Sequence, residues 1–140
     1  MTINEIQDEL IDDFAFYQDW MEKYEYIIQL GKELPLIDEA NKQDQYIIKG
    51  CQSKVWLFPE IKGDKLYFTA DSDAVITKGL VSLMVKVLSG HTPKEIAETE
   101  LYFIEQIGLK EHLSPTRANG LLAMVKQMKL YALAFQAKGV

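Results

Sequence analysis

One residue carries the chemistry this sequence can do most directly. Cys51 is the only cysteine among the 140 residues, and a thiolate is both a nucleophile and a soft metal ligand. A single thiol excludes an internal disulfide, a paired redox motif and a four-cysteine zinc site. With His91 and His112 the only histidines, a soft-metal site would need carboxylates to complete it. Lone free cysteines are most often inert packing residues. Cys51, however, follows Gly50 and precedes Gln52 and Ser53, which is loop composition rather than an apolar run. Lys49 and Lys54 bracket the loop. They either favour the thiolate or are the solvated ends of edge strands.

The other reactive side chains are weaker candidates. A Cys–His pair for hydrolysis would need a histidine beside Cys51. His91 lies in a polar Ser-Gly-His-Thr stretch that reads as a surface loop, and His112 precedes Leu113 ahead of a capped helix. Asp71 and Asp73 could serve as acid and base, but their spacing fits a helix N-terminus better, where acids complement the dipole. Arg117 falls in the first turn of the last helix, where a cation gains nothing from that dipole. It is either a solvated arginine or a contact to a partner or to a sulfur anion near Cys51.

The elements that must position these residues follow from periodicity. Ile3, Ile6, Leu10 and Phe14 line one helix face, and Trp20, Tyr24, Ile27 and Ile28 line a second. Gly31 loosens the end of that helix and Pro35 stops it near Leu34. Residues 36–45 read as a connection. Three short strands follow: 46–48, 55–58 ending at Pro59, and 66–69, with a turn at Lys62-Gly63-Asp64. They predict a small three-stranded antiparallel sheet with Cys51 at the tip between the first two strands. Ser72 caps a helix over 73–89 that Gly90 ends. Thr92-Pro93-Lys94-Glu95 is a capping box, a short segment over 101–107 ends at Gly108, and Ser114-Pro115 opens the last helix. The prediction is an α+β domain spanning 1–140, with flanking helices covering one face of the sheet.

Composition sets the class. The chain is 48% hydrophobic and 26% charged, which argues for a globular fold rather than disorder. The net charge is −6, with no basic block to recruit nucleic acid. The N-terminus has no basic-then-apolar signal pattern, and no run reaches the ~18 apolar residues of a membrane span. A reducing cytosol, where a lone thiol stays a thiol, is the expected location.

With these residues in view, Gly50-Cys51-Gln52-Ser53-Lys54-Val55-Trp56 resembles the cysteine motif of the SufE family, sulfur acceptors for cysteine desulfurases in iron–sulfur cluster assembly. Ala70-Asp71-Ser72-Asp73-Ala74, with Ile76, Lys78, Gly79 and Leu80, resembles the family's segment after its last strand. His112-Leu113-Ser114-Pro115-Thr116-Arg117, followed by Asn119-Gly120-Leu121 and Ala123-Met124, resembles the start of its final helix. Trp20, Glu22, Lys23, Tyr24, Tyr26, Ile27-Ile28 and Leu34-Pro35 also fit. The resemblance runs in order along nearly the whole chain, without a departure at the matched positions.

The resemblance implies an α+β fold shared with cluster scaffolds of the IscU type. It implies that Cys51 accepts persulfide sulfur from a pyridoxal-phosphate cysteine desulfurase, activating that enzyme, and relays the sulfur to an iron–sulfur scaffold complex. Gly50, Gln52, Ser53, Asp73 and Arg117 are implied in partner docking or in setting the loop. No cofactor or metal of the chain's own is implied, since carbon–sulfur cleavage belongs to the partner's cofactor. Persulfide transfer follows the logic of disulfide exchange, and one thiol suffices because the second sulfur arrives on a partner. A scaffold would need several ligands for iron. Because an exposed reactive thiol over-oxidises, the loop is expected to pack inward in the free protein, sheltered by Val55, Trp56 and nearby apolar residues, and to turn outward on docking. The competing readings are an interaction module in which Cys51 is incidental, a sulfur relay for another sulfuration pathway, and a stand-alone thiol enzyme.

Overall fold

The computed structural model describes residues 1–139. Two helices open the chain, α1 (Ile3–Phe16) and α2 (Trp20–Gly31). A hairpin of β1 (Val55–Lys62) and β2 (Lys65–Ser72) follows, then the helices α3 (Val75–Leu88), α4 (Pro93–Glu98), α5 (Tyr102–Ile107), α6 (Leu109–His112) and α7 (Pro115–Ala137). The helix starts obey their local chemistry. Thr2 with Glu5 and Thr92 with Glu95 both form reciprocal capping boxes. Asp19 accepts from the Glu22 amide and Ser114 from the Arg117 amide.

The α+β class holds, but the sheet has two strands rather than the three expected. The expected strand over 46–48 is a 3-10 turn at Asp44–Tyr46 followed by a single bridge from Ile47 to Trp56. Residues 36–45 carry a parallel bridge, Leu36 to Ala70, and a second 3-10 turn at Glu39–Asn41. Nor does Pro59 end β1. The Val55 carbonyl accepts from the Ile48 amide, so residues 55, 57 and 59 turn their backbone groups away from β2. The missing N–H of Pro59 therefore falls on the open side, where a strand tolerates it. As expected, one face of the hairpin is buried: Val55, Leu57, Leu66, Phe68 and Ala70 point into the core.

The centre of the molecule is α3, which buries ten of its fourteen residues and packs against β2, α2, α1 and α7. Gly79 sets its distance from α2. A Cβ built there would lie 2.3 Å from the Ile27 carbonyl oxygen, inside any real contact. Gly31, expected to loosen its helix, instead meets the Gly79 backbone. Ser82 adds a buried hydrogen bond to the Leu30 carbonyl at 2.6 Å. Gln7 is wholly buried and ties α1 to α5, donating to the Glu100 carbonyl and accepting from the Phe103 amide. A buried amide so satisfied fixes register instead of costing its desolvation.

Candidate functional site

Cys51 sits in an irregular loop before β1, not at the tip of a strand pair. Gly50 turns the chain with φ +95°, a conformation that L side chains rarely adopt. The loop lies against α7. The Cys51 thiol contacts the Gly120 carbonyl at 3.6 Å, a sulfur hydrogen bond, and a Cβ on Gly120 would lie 3.4 Å from Sγ. The loop and the starts of α3 and α7 enclose a cavity of about 70 Å³, lined by Cys51, Gln52, Ser53, Thr77, Arg117 and Gly120, with Ala74, Leu80, Thr116 and Met124 completing it. The structure thus brings Cys51, Gln52, Ser53 and Arg117 together.

Asp73 stands one layer back. Its carboxylate accepts from the Lys54 amide at 3.1 Å, while the neighbouring Ser72 hydroxyl donates to the Lys54 carbonyl at 2.8 Å. Together they pin the residue three places after Cys51. Neither Ser72 nor Asp73 starts a helix as expected. The helix begins at Val75 after Ala74, which has no side-chain cap. Asp71 is no cap either: it lies in β2 and pairs with Lys42 at 3.0 Å and Lys78 at 3.4 Å. Burial alone would push its carboxyl up. Hydrogen bonds from Lys42 and the Ser72 amide, with Lys78 beside it, outweigh burial and hold it below the usual range.

The Cys51 thiol is half-buried, and burial pushes its pKa up. Neither Lys49 nor Lys54 lines the cavity beside the sulfur. Lys54 instead extends over the Trp56 ring at 5.8 Å. In the free protein the sulfur is held as a neutral thiol, poorly nucleophilic until its surroundings change. The expected inward packing is present, but its walls are α3 and α7 rather than Val55 and Trp56. Neither histidine lines the cavity. His112 stacks on Trp20 at 4.0 Å and its Nδ1 meets the Gly108 carbonyl at 3.0 Å. His91, read as a surface residue, is buried and bridges Leu66 through its backbone.

Gly120, Thr77, Leu80 and Met124 complete a site that the reactive residue types alone did not outline. Gly120 carried a usable signal: a glycine inside an otherwise good helix costs stability and marks a close approach. Among the described residues, no group of three or more His, Cys, Asp or Glu side chains could hold a metal ion. Nor, among the described residues, is any helix long and apolar enough to cross a membrane.

The chain is similar to known proteins. Residues 8–132 match the model of the SufE family, described as an Fe-S metabolism associated domain. An uncharacterized SufE-like protein of Rhizobium meliloti is 42% identical over 127 residues, covering 87% of this chain and 91% of the relative. One from Synechocystis is 37% identical, covering 91% and 80%. Among solved structures, the solution structure of a hypothetical protein from Thermus thermophilus superposes with a TM-score of 0.77 at 17% identity. It covers 92% of this chain and 94% of that one, which is a likeness of fold.

Proposed function

The chain belongs to the SufE family, whose domain is associated with iron–sulfur metabolism, and from that premise we propose that Cys51 is a sulfur acceptor that activates a cysteine desulfurase. The observation that carries this reading is the placement of the sole thiol. It is half-buried on a loop without regular structure, against a cavity shared with Arg117.

In the proposed transfer, Cys51 loses its proton and its thiolate attacks the outer sulfur of the desulfurase's persulfide. The partner's sulfur–sulfur bond breaks, its electron pair leaves on the partner's cysteine thiolate, and a new sulfur–sulfur bond forms on Cys51. The same exchange, with Cys51 as leaving group, hands the sulfur to an iron–sulfur scaffold complex. The half-buried thiol must first be freed. Docking turns the loop outward, breaking the Gly120 contact and returning Sγ to water, where its thiolate is more accessible. Arg117 then offers a cation to the sulfur anion, and Gln52 and Ser53 set the loop against the partner. Asp73 holds the far end of the loop to the sheet, so the movement stops at Lys54. The carrier supplies no cofactor; carbon–sulfur cleavage takes place on the desulfurase, and the cytosol keeps the carrier reduced.

The test is desulfurase turnover in the presence of the carrier. Alanine release from L-cysteine should rise with the wild-type chain and stay basal with Cys51→Ser. Full stimulation by the serine variant would refute the reading and favour an interaction module in which Cys51 is incidental.

A further inference from the structure

A second concave surface lies where α1 gives way to α2, and it shares no residue with the Cys51 cavity. Asp12, Asp13, Phe16, Tyr17 and Tyr26 line a groove of about 350 Å³. The rings form a connected series. Phe14 meets Tyr26 edge-on at 5.1 Å, Tyr26 meets Tyr17 at 5.2 Å, and Tyr17 meets Phe16 edge-on at 5.5 Å. Phe14 is buried and anchors the series in the core. At the other end Phe16 is 81% exposed. A phenylalanine so placed loses the burial that would stabilise the fold and remains free to stack on something from outside.

Among the described residues, the charged side chains that line this groove are the two carboxylates. Neither Asp12 nor Asp13 forms an ion pair among the described residues. Asp13 is also oriented, because its carboxylate accepts the Tyr26 hydroxyl at 3.1 Å. That leaves the second oxygen of a fixed carboxylate free on a groove that three rings also line. Burial, then the Asp13 charge, raise the Tyr26 phenol, so it remains a hydrogen-bond donor at neutral pH.

Ring faces attract cations, and a carboxylate at their rim adds an ion pair. A planar guanidinium satisfies both demands, stacking on a ring while its fork reaches the carboxylate; an ammonium cannot do both so well. The volume suits one side chain with its stem. We propose that this groove receives an arginine side chain from a basic segment of a partner protein. The net charge of −6 on the chain favours that encounter from a distance.

The experiment is a titration of the full chain with an acetyl-Gly-Arg-Gly-amide tripeptide, followed by the ring proton signals in NMR. Saturating shifts should appear in Phe16, Tyr17 and Tyr26. The same peptide with citrulline in place of arginine should give none. Phe16→Ala, which removes an exposed ring and leaves the core untouched, should weaken binding by about fivefold. Asp12→Asn combined with Asp13→Asn should abolish saturation. Absence of shifts, equal shifts from the citrulline peptide, or shifts that appear with protein concentration alone would each overturn the proposal. The last two would assign the groove to an uncharged ligand and to a second copy of the chain, respectively.

Discussion

Two helix glycines let another part of the chain come close, and they do so at different distances. At Gly79 a Cβ would lie 2.3 Å from the Ile27 carbonyl oxygen, so α2 and α3 meet backbone to backbone. At Gly120 a Cβ would lie 3.4 Å from the Cys51 sulfur, an ordinary van der Waals separation. The first contact sits among the most buried residues of the molecule. The second has a half-buried thiol, one sulfur hydrogen bond and a small cavity beside it. Helix α3 forms a wall of both. Dense packing fixes the frame, while a few separable contacts hold the reactive loop, the low-stability end from which moving segments are drawn.

Gly79→Ala should have the largest effect. The methyl cannot be accommodated without separating α2 from α3, so denaturant unfolding should show a loss of about 3 kcal/mol. A loss under about 1 kcal/mol would break the contrast. Asp73→Ala comes next. Removing the acceptor for the Lys54 amide should cost about 1 kcal/mol and speed iodoacetamide alkylation of Cys51 by about fivefold, by raising the population of the open loop.

The same reagent reads the burial of the thiol. Because burial raises the Cys51 pKa, the alkylation rate of the wild type should reach half-maximum above the ordinary thiol value of about 8.5. In Asp73→Ala the midpoint should fall toward that value. A folded thiol that titrates above the unfolded one also weakens the fold as pH rises past about 8.5. Cys51→Ser should remove that slope.

Smaller still is Gly120→Ala. The methyl fits, and alanine suits a helix interior better than glycine, so stability should rise by about 0.5 kcal/mol. Alongside the loss from Gly79→Ala, that gain would sharpen the comparison. The smallest effect belongs to Asp71→Asn. Asp71 titrates lower in the folded protein, so its contribution is present above the ordinary carboxylate value of about 3.9 and is lost as pH falls through the folded value. The variant should flatten the acid limb of the stability curve by about 0.2 kcal/mol.

Much of this was legible in the residues. The periodic apolar positions gave α1 and α2, and Thr92 with Glu95 and Ser114 with Pro115 marked helix starts that the structure contains. Gly50 and its polar neighbours announced a loop at Cys51. What escaped depends on distant chain segments meeting. Tyr46-Ile47-Ile48 has the residue types of a strand, yet only Ile47 finds a bridge, because the 3-10 turn just before it uses the backbone otherwise. Asp73 looked like a helix cap because its partner, the Lys54 amide, is nineteen residues away. The lysines beside Cys51 fitted either thiolate activation or solvated strand ends, and adjacency in sequence does not put them in the cavity beside the half-buried sulfur. Gly120 signals a close approach to its helix, but nothing local says that the approaching group is Cys51, sixty-nine residues away.

The direct test of Cys51 as sulfur acceptor is intact-mass spectrometry of the chain after incubation with a cysteine desulfurase and L-cysteine. One added sulfur on the wild type, removable by a thiol reductant, and none on Cys51→Ser is the predicted result. An unmodified wild type beside a desulfurase that is turning over, or added sulfur on the serine variant, would contradict it.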